Sequence, residues 1–407
     1  MIGDTFFNVL SLVRQSMDST VVEEISINDW DALFTELNDQ AISAIPVDIL
    51  SNIIPSSERS RLLRIATISI MTTHKHLAAQ DLLGRLFREN ELPYAIIKGL
   101  AMARYYPQPE YRTLGDIDIV VLHEDYNTAR RILLENGFLE IKCPYEKHDM
   151  FSKKGITFEL HKYFASTNDI KAATIIENFI QEGIQSPVHV DLNGHSFPVL
   201  PPTAEGLMLL EHMSQHLEDG IGLRHIIDWM QYVSHELNDT KWENEFRVFA
   251  EAAGLRQLAE ITTKLCVKHL GLKGVTWCDN ADEDTCDQLL SYIEHRGNFG
   301  KKGTTTSNKA QKLLSIYKGP LYWFRYLQRT GVNTPIIRKH RILNHFAWFI
   351  RLCVLAREYI NDGNTFSDLR REQERSKEIE SFMDKLGIRR LSKGHTFWDG
   401  NAFVIKR

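Results

Sequence analysis

Asp116-Ile117-Asp118 sets two carboxylates two residues apart at the head of an apolar run that continues through Ile119, Val120 and Val121. In an extended strand, residues i and i+2 face the same side, about 6–7 Å apart along the backbone. Both acids can therefore share hard divalent cations, and magnesium favours a few carboxylates completed by substrate phosphates. Glu159, between Phe158 and Leu160, is a third acid flanked by apolar residues. A carboxylate on an apolar strand is costly unless a cation compensates it. Upstream, Lys98-Gly99 closes the short apolar run Tyr94-Ala95-Ile96-Ile97. A strand, a glycine turn and a helix N-terminus together make a cradle for phosphate. An acid pair two apart is common on its own; the third acid and the cradle are what point to metal-assisted chemistry on a phosphate.

The elements that must position these groups are an alternation of strands and helices from Tyr94 to about Phe164, which argues for an α/β or α+β unit. Strands are expected at Tyr94–Ile97, at Ile117–Val121, over Phe138–Lys142 and over Ile156–Leu160, with His148–Ser152 a weaker one. Leu100–Tyr106 reads as a short helix stopped by Pro107 and Pro109. Asp125 reads as the cap of a helix over Tyr126–Glu135 that ends at Asn136-Gly137. Before this unit, Ile68, Met71, Leu77, Leu82, Leu83, Leu86 and Phe87 follow the spacing of one face of a long helix, which Pro93 ends. After it, Pro201-Pro202-Thr203 feeds an amphipathic helix over Gly206–Leu217. Asp279–Asp287 reads as an acidic loop, Gly297–Ser307 as a mobile connection, the segment to Ile360 as helical, and Arg370–Lys385 as a charged, solvated helix. The expected organisation is a helical segment over residues 1–92, a catalytic α+β unit with a mixed sheet over 93–200, a helical domain over 201–300 and a basic, mostly helical region over 301–407.

These motifs together resemble the nucleotidyltransferase superfamily of polymerase-β-like fold: Ile97-Lys98-Gly99-Leu100, then Gly115-Asp116-Ile117-Asp118-Ile119, then Phe158-Glu159-Leu160. More closely, the chain is similar to the bacterial uncharacterised nucleotidyltransferase family. That resemblance rests on Tyr106-Pro107, Arg112, Glu159-Leu160-His161, His212 and His216 ahead of Gly222-Leu223-Arg224, and Asp228, and is strongest over residues 85–235. It implies an α+β fold and transfer of a nucleoside monophosphate from an NTP, with pyrophosphate released. It also implies two magnesium ions, or manganese, held by Asp116, Asp118 and Glu159, with Lys98, Gly99, Arg112 and Gly115 around the nucleotide. Leu100 departs from the superfamily's Ser or Gly, which removes a hydroxyl contact to the phosphates, and Lys98 and Arg112 are the residues placed to replace it. That departure leaves room for a nucleotide-binding protein of this fold with weak or no activity.

His161, His212, His216, Arg224 and Asp228 are further site candidates. His212 and His216 are four apart and could bind zinc, but the order is EHxxxH and not HExxH, so packing of the helical domain on the sheet is the preferred account. Arg224 and Asp228, also four apart, read as a helical ion pair. His74-Lys75-His76 reads as an exposed stretch of helix. The aromatics Tyr322, Trp323, Phe324, Tyr326, Phe346, Trp348 and Phe349 interleave with arginines, which suits either base stacking or, as preferred here, a core with snorkelling cations.

The 407 residues, with 43% hydrophobic and 25% charged, exclude a disordered or collagenous chain. The apolar stretch Phe346–Ala356 is broken by Arg351 and falls short of the ~20 residues needed to span a bilayer, so no membrane partner is expected. The N-terminus, with Asp4 where basic residues belong, does not read as a signal peptide. Five cysteines with no CxxC spacing suit a reducing compartment, hence the cytoplasm. The net charge of −5 hides an asymmetry: 22 basic and 9 acidic residues from Lys301 on give +13, which leaves −18 for the first 300. The basic third either docks on the acidic remainder or offers cations to phosphate or RNA. With the catalytic part acidic, a small-molecule or protein acceptor is preferred over RNA.

Overall fold

The computed structural model describes residues 3–142, 146–167, 169–217, 219–302, 324, 327–328, 345–361, 378–379, 381–388, 395–400 and 402–406. The chain divides into two compact units. One comprises residues 1–301 with 386–390 and 394–407; the other comprises 302–385 with 391–393.

The first unit is built on one mixed sheet of seven strands, in the order β3-β4-β5-β2-β1-β7-β6. The strands are β1 (Tyr94–Ile97), β2 (Ile117–Val121), β3 (Leu139–Ile141), β4 (His148–Lys153), β5 (Ile156–His161), β6 (Val188–Leu192) and β7 (His195–Val199). β2 runs antiparallel to β1 and parallel to β5, with Asp118 opposite Ile97 on one side and opposite Glu159 on the other. β4 and β5 form an antiparallel hairpin that sets His148 opposite His161. Because side chains alternate along each strand, these pairings separate two faces. Tyr94, Ile96, Ile117, Ile119, Phe151, Phe158 and Leu160 join one core with Leu77, Leu83 and Phe87 of α4 (Arg59–Glu89) and with Ala129, Ile132 and Leu133 of α6 (Tyr126–Glu135). The opposite face carries Asp118, Glu159, His161 and His148.

The helices of this unit also include α1 (Asp4–Met17), α2 (Trp30–Asp39), α3 (Val47–Ile53), α5 (Gly99–Ala103), α7 (Ile170–Gln185), α8 (Pro202–His216) and α9 (Leu223–Glu236). They continue with α10 (Asp239–Lys241), α11 (Arg247–Ala252), α12 (Arg256–Leu270) and α13 (Glu283–Arg296). A C-terminal hairpin of β8 (His395–Trp398) and β9 (Phe403–Lys406) returns to this unit. The Trp398 ring lies 4.2 Å from that of His123, and Phe403 meets Tyr163 edge-on at 5.8 Å. In the second unit, α14 (Ala347–Asn361) is helical as expected. No helix among the described residues is long and apolar enough to cross a membrane.

Several expectations change. The long helix α4 forms, but Ile68 and Met71 are exposed, and its buried face includes Leu62, Thr73, His76 and Gln80 instead. His76 is therefore not on an exposed stretch: its ring nitrogens meet the carbonyls of Thr72 at 2.8 Å and Gly115 at 2.9 Å. Asp125 precedes α6 without a side-chain capping bond. Residues 279–287 are not a loop throughout, since Asp282 caps α13 by accepting from the Thr285 amide. α7 and the β6–β7 hairpin were not foreseen. The hairpin had a readable signal in Asn193-Gly194 between alternating apolar residues, with Gly194 at φ +80°. Of the expected connection Gly297–Ser307, residues 297–302 are described and include a 3-10 turn at Asn298–Gly300; the rest of it, most of the aromatic–arginine set and most of Arg370–Lys385 lie outside the described residues.

Candidate active site

The site forms where β1, β2, β4 and β5 present their polar residues to one face. Asp118 is 3% exposed, and its Oδ1 lies 2.5 Å from Lys98 Nζ and 2.9 Å from His161 Nε2. Burial opposes ionisation of Asp118, but Lys98 and His161 outweigh it and hold the carboxyl well below the usual range. Glu159, directly across the strand pair, behaves in the opposite way: burial and the charges of Asp118 and Asp116 push it up to about 8. It shares a hydrogen bond with Asp116, which sits just ahead of β2. Glu159 also lies 3.4 Å from His148 Nε2 and 3.7 Å from His161 Nε2. Burial keeps both imidazoles neutral, with pKa values lowered to about 4.

Lys98 reaches this cluster through an unusual backbone. Its φ of 54° and ψ of −135° turn the chain from β1 into α5, a conformation that costs about 1–3 kcal/mol for a residue with a side chain. The turn expected of Gly99 is thus made by Lys98. A Cβ added at Gly99 would meet the Asp116 carbonyl at 3.5 Å and Leu114 Cδ2 at 3.9 Å, both ordinary contacts. Gly115 faces open space and contributes its carbonyl to His76. Leu100 is buried and offers no polar atom.

Three residues that the spacing did not single out complete the wall. Lys147, just ahead of β4, donates to Ser166 Oγ at 2.6 Å and Gln215 Oε1 at 2.7 Å; burial lowers its pKa to about 8. Glu177 of α7 accepts from the amide of Phe164 at 2.9 Å and meets His123 Nε2 at 3.0 Å. Glu211 of α8 accepts from the amides of Ser166 at 2.6 Å and Thr167 at 3.0 Å. These two carboxylates satisfy loop amides after β5 that would otherwise be buried without partners. They thereby hold Phe164, whose ring lies beneath Lys98 Nζ at 5.5 Å. Glu177 and Glu211 stand on helices that sequence spacing does not relate to β5, so only the folded chain pairs them with it.

Arg112 was expected at the phosphates; its guanidinium is instead 3% exposed and committed to Asp228 of α9. Its Nε and Nη2 donate to the two carboxylate oxygens at 2.8 and 2.7 Å, and Tyr106 donates to Oδ1 at 2.7 Å. The expected Arg224–Asp228 helical pair is accordingly replaced by a pair between elements. Arg224 packs over the Phe299 ring at 5.7 Å, and its Nε has no hydrogen-bond partner among the described residues. His212 and His216 do face each other, with ring centroids 4.6 Å apart, and His225 joins them at 5.4 and 5.8 Å. Burial pushes all three below the ordinary imidazole value, His216 to about 3. Lys98 contributes to the lowering of His212 and His216, so the cluster stands within electrostatic reach of the carboxylates.

A family model described as "Uncharacterised nucleotidyltransferase" matches residues 26–271. No curated protein is significantly similar to the chain. Among solved structures, the crystal structure of an antigenic nucleotidyltransferase-like protein from Paracoccidioides brasiliensis is 17% identical, with a TM-score of 0.32, covering 49% of this chain and 94% of that one.

Proposed function

The chain belongs to the uncharacterised nucleotidyltransferase family, and from that premise we propose that it transfers a nucleoside monophosphate from an NTP to an acceptor hydroxyl, amine or phosphate. The observation that carries this reading is the convergence of Asp116, Asp118 and Glu159 beside Lys98 on one face of the sheet. The donor set fits divalent ions, because burial together with the charges of Asp118 and Asp116 pushes Glu159 up to about 8, and dication charge would offset both. Magnesium, or manganese, held by these three residues would stabilise the attacking and leaving oxygens of an in-line displacement.

The chain's own groups supply the rest. Lys98 brings a positive charge to the phosphate side of Asp118. His161 orients the Asp118 carboxylate through Nε2. Glu159 would take the acceptor's proton, or orient the acceptor, as the new bond to the α-phosphorus forms and the bond to the pyrophosphate oxygen breaks. Arg112 acts at one remove: through Asp228 it anchors the segment that leads into Gly115-Asp116. A small-molecule or protein acceptor suits the net charge of −18 over the first 300 residues better than RNA does. A reducing compartment such as the cytoplasm suits the scattered cysteines; those described are unpaired, with Cys266, Cys278 and Cys286 buried.

Incubation with each α-³²P-labelled NTP and magnesium in cell extract tests the reading, beside Asp116→Ala/Asp118→Ala. Label on a protein, RNA or metabolite that is lost in the variant supports transfer and identifies base and acceptor class. A second reading, nucleotide binding without chemistry, is favoured by Leu100, buried where the superfamily carries Ser or Gly. Metal-dependent NTP binding with no label from any NTP would establish it.

A further inference from the structure

The carboxylate cluster has an imidazole side that magnesium chemistry does not require. His148 on β4 stands opposite His161 on β5, and the same sheet face carries Glu159 and Asp118. His148 Nε2 is 3.4 Å from Glu159 Oε1, His161 Nε2 is 3.7 Å from Glu159 Oε2, and His161 Nε2 is 2.9 Å from Asp118 Oδ1. Donors bound at about 2.0–2.2 Å from one ion stand roughly 2.8–3.6 Å from each other in octahedral or tetrahedral arrangements. Both longer separations exceed a good hydrogen bond; the 3.4 Å one falls within that range and the 3.7 Å one lies just beyond it. One donor atom each from His148, Glu159 and His161 lies within 4.8 Å of the others. Nδ1 of His161, 5% exposed, has no hydrogen-bond partner among the described residues, so the ring is held chiefly from its Nε2 side.

We propose that His148, Glu159 and His161, with Asp118 as the adjoining fourth donor, form a binding site for a transition-metal dication of the manganese, cobalt or zinc class. Two imidazole nitrogens with carboxylate oxygen suit these ions, whereas magnesium keeps an all-oxygen shell rich in water. The inference deepens the transfer reading, since Asp118 and Glu159 serve both, and it assigns the imidazole-lined part of the site to an ion other than magnesium. His148 and His161 are thereby metal ligands, His161 Nε2 exchanging its hydrogen bond to Asp118 Oδ1 for the ion when the ion binds, and the ion class becomes a property of the β4–β5 hairpin.

The test uses the full chain, freed of metal by chelation and measured without nucleotide. Titration with Mn²⁺, followed by loss of the free-ion EPR signal, and competition by Mg²⁺ give the two affinities. Mn²⁺ is expected to bind at least about tenfold more tightly, a preference that His148→Gln/His161→Gln removes. Echo-modulation spectra of Mn²⁺ bound to the unaltered protein are expected to show ¹⁴N couplings from the imidazoles, a readout that needs no variant to fold. Equal affinities for the two ions, a preference that survives in the double variant, or absence of ¹⁴N coupling each overturns the proposal. A chain that shows the nitrogen-coupled ion yet transfers no label from any NTP fails the transfer reading alone. One that transfers label with Mg²⁺ but shows no nitrogen coupling fails this inference alone.

Discussion

Replacing Arg112 by Met leaves the Asp228 carboxylate, 7% exposed, with no hydrogen-bonded cation and only the Tyr106 hydroxyl as a donor, although Arg224 remains within electrostatic reach. Breaking one side of a buried pair costs about 3–5 kcal/mol, because the remaining charge stays desolvated. Asp228→Asn strands the 3%-exposed guanidinium in the same way. Arg112→Met/Asp228→Leu removes both charges, leaves Tyr106 without its acceptor, a loss of about 1–3 kcal/mol, and takes from Arg224 both the repulsion of Arg112 and the attraction of Asp228. The double variant should therefore be more stable than either single one, by roughly 2 kcal/mol. Urea unfolding followed by far-ultraviolet circular dichroism reads this directly. With an m-value of about 3 kcal/mol/M, the single variants should lose roughly 1 M in midpoint. Nucleotide affinity separates the two roles of Arg112. A positioning residue and its anchor should weaken binding together, so Arg112→Met and Asp228→Asn should be alike. Single variants within about 0.5 kcal/mol of the unaltered chain, or a double variant as unstable as the two losses added, would refute the reasoning. A loss of NTP binding in Arg112→Met alone would return the guanidinium to the phosphates.

Stability should fall on mild acidification, because the folded state holds His212, His216 and His225 neutral while the unfolded chain takes up protons below about pH 6.5. Their contribution is complete above that value and is lost as pH drops toward the folded pKa, about 3 for His216. Between pH 7 and 5.5 each ring should cost about 1 kcal/mol, so melting temperatures of His225→Phe should fall less steeply than those of the unaltered chain, and parallel profiles would sink the claim. The C-terminal hairpin should be an integral part of the first unit. Phe403→Ala, which removes a buried ring from Tyr163, should cost about 3 kcal/mol in urea unfolding, and an unchanged midpoint would show that the hairpin does not pack there.

The acid-apolar-acid spacing at Asp116 and Asp118, Glu159 within an apolar strand and the strand-turn-helix around Lys98 were all visible in the sequence. Each is a local pattern in which alternation decides which face a residue takes. The same holds for the end of α6, which follows from the Asn136-Gly137 stop. What a residue meets across the fold was not visible, because spacing along the chain carries no information about register or packing between elements. Four apart on α9, Arg224 and Asp228 suggested a helical pair, yet Asp228 lies in the place where the loop before β2 brings Arg112. His76 looked like one of three polar residues on a solvated helix, and burial against Gly115 gave it another role. The opposition of His148 to His161 depends on the β4–β5 register, which a slip of one residue would abolish. Sequence alone determined which chemistry these residues could support. Tertiary structure decided which side chains share the carboxylate face and which cation is committed to an ion pair, because contacts between strands and helices distant in sequence are set only when the chain closes its core.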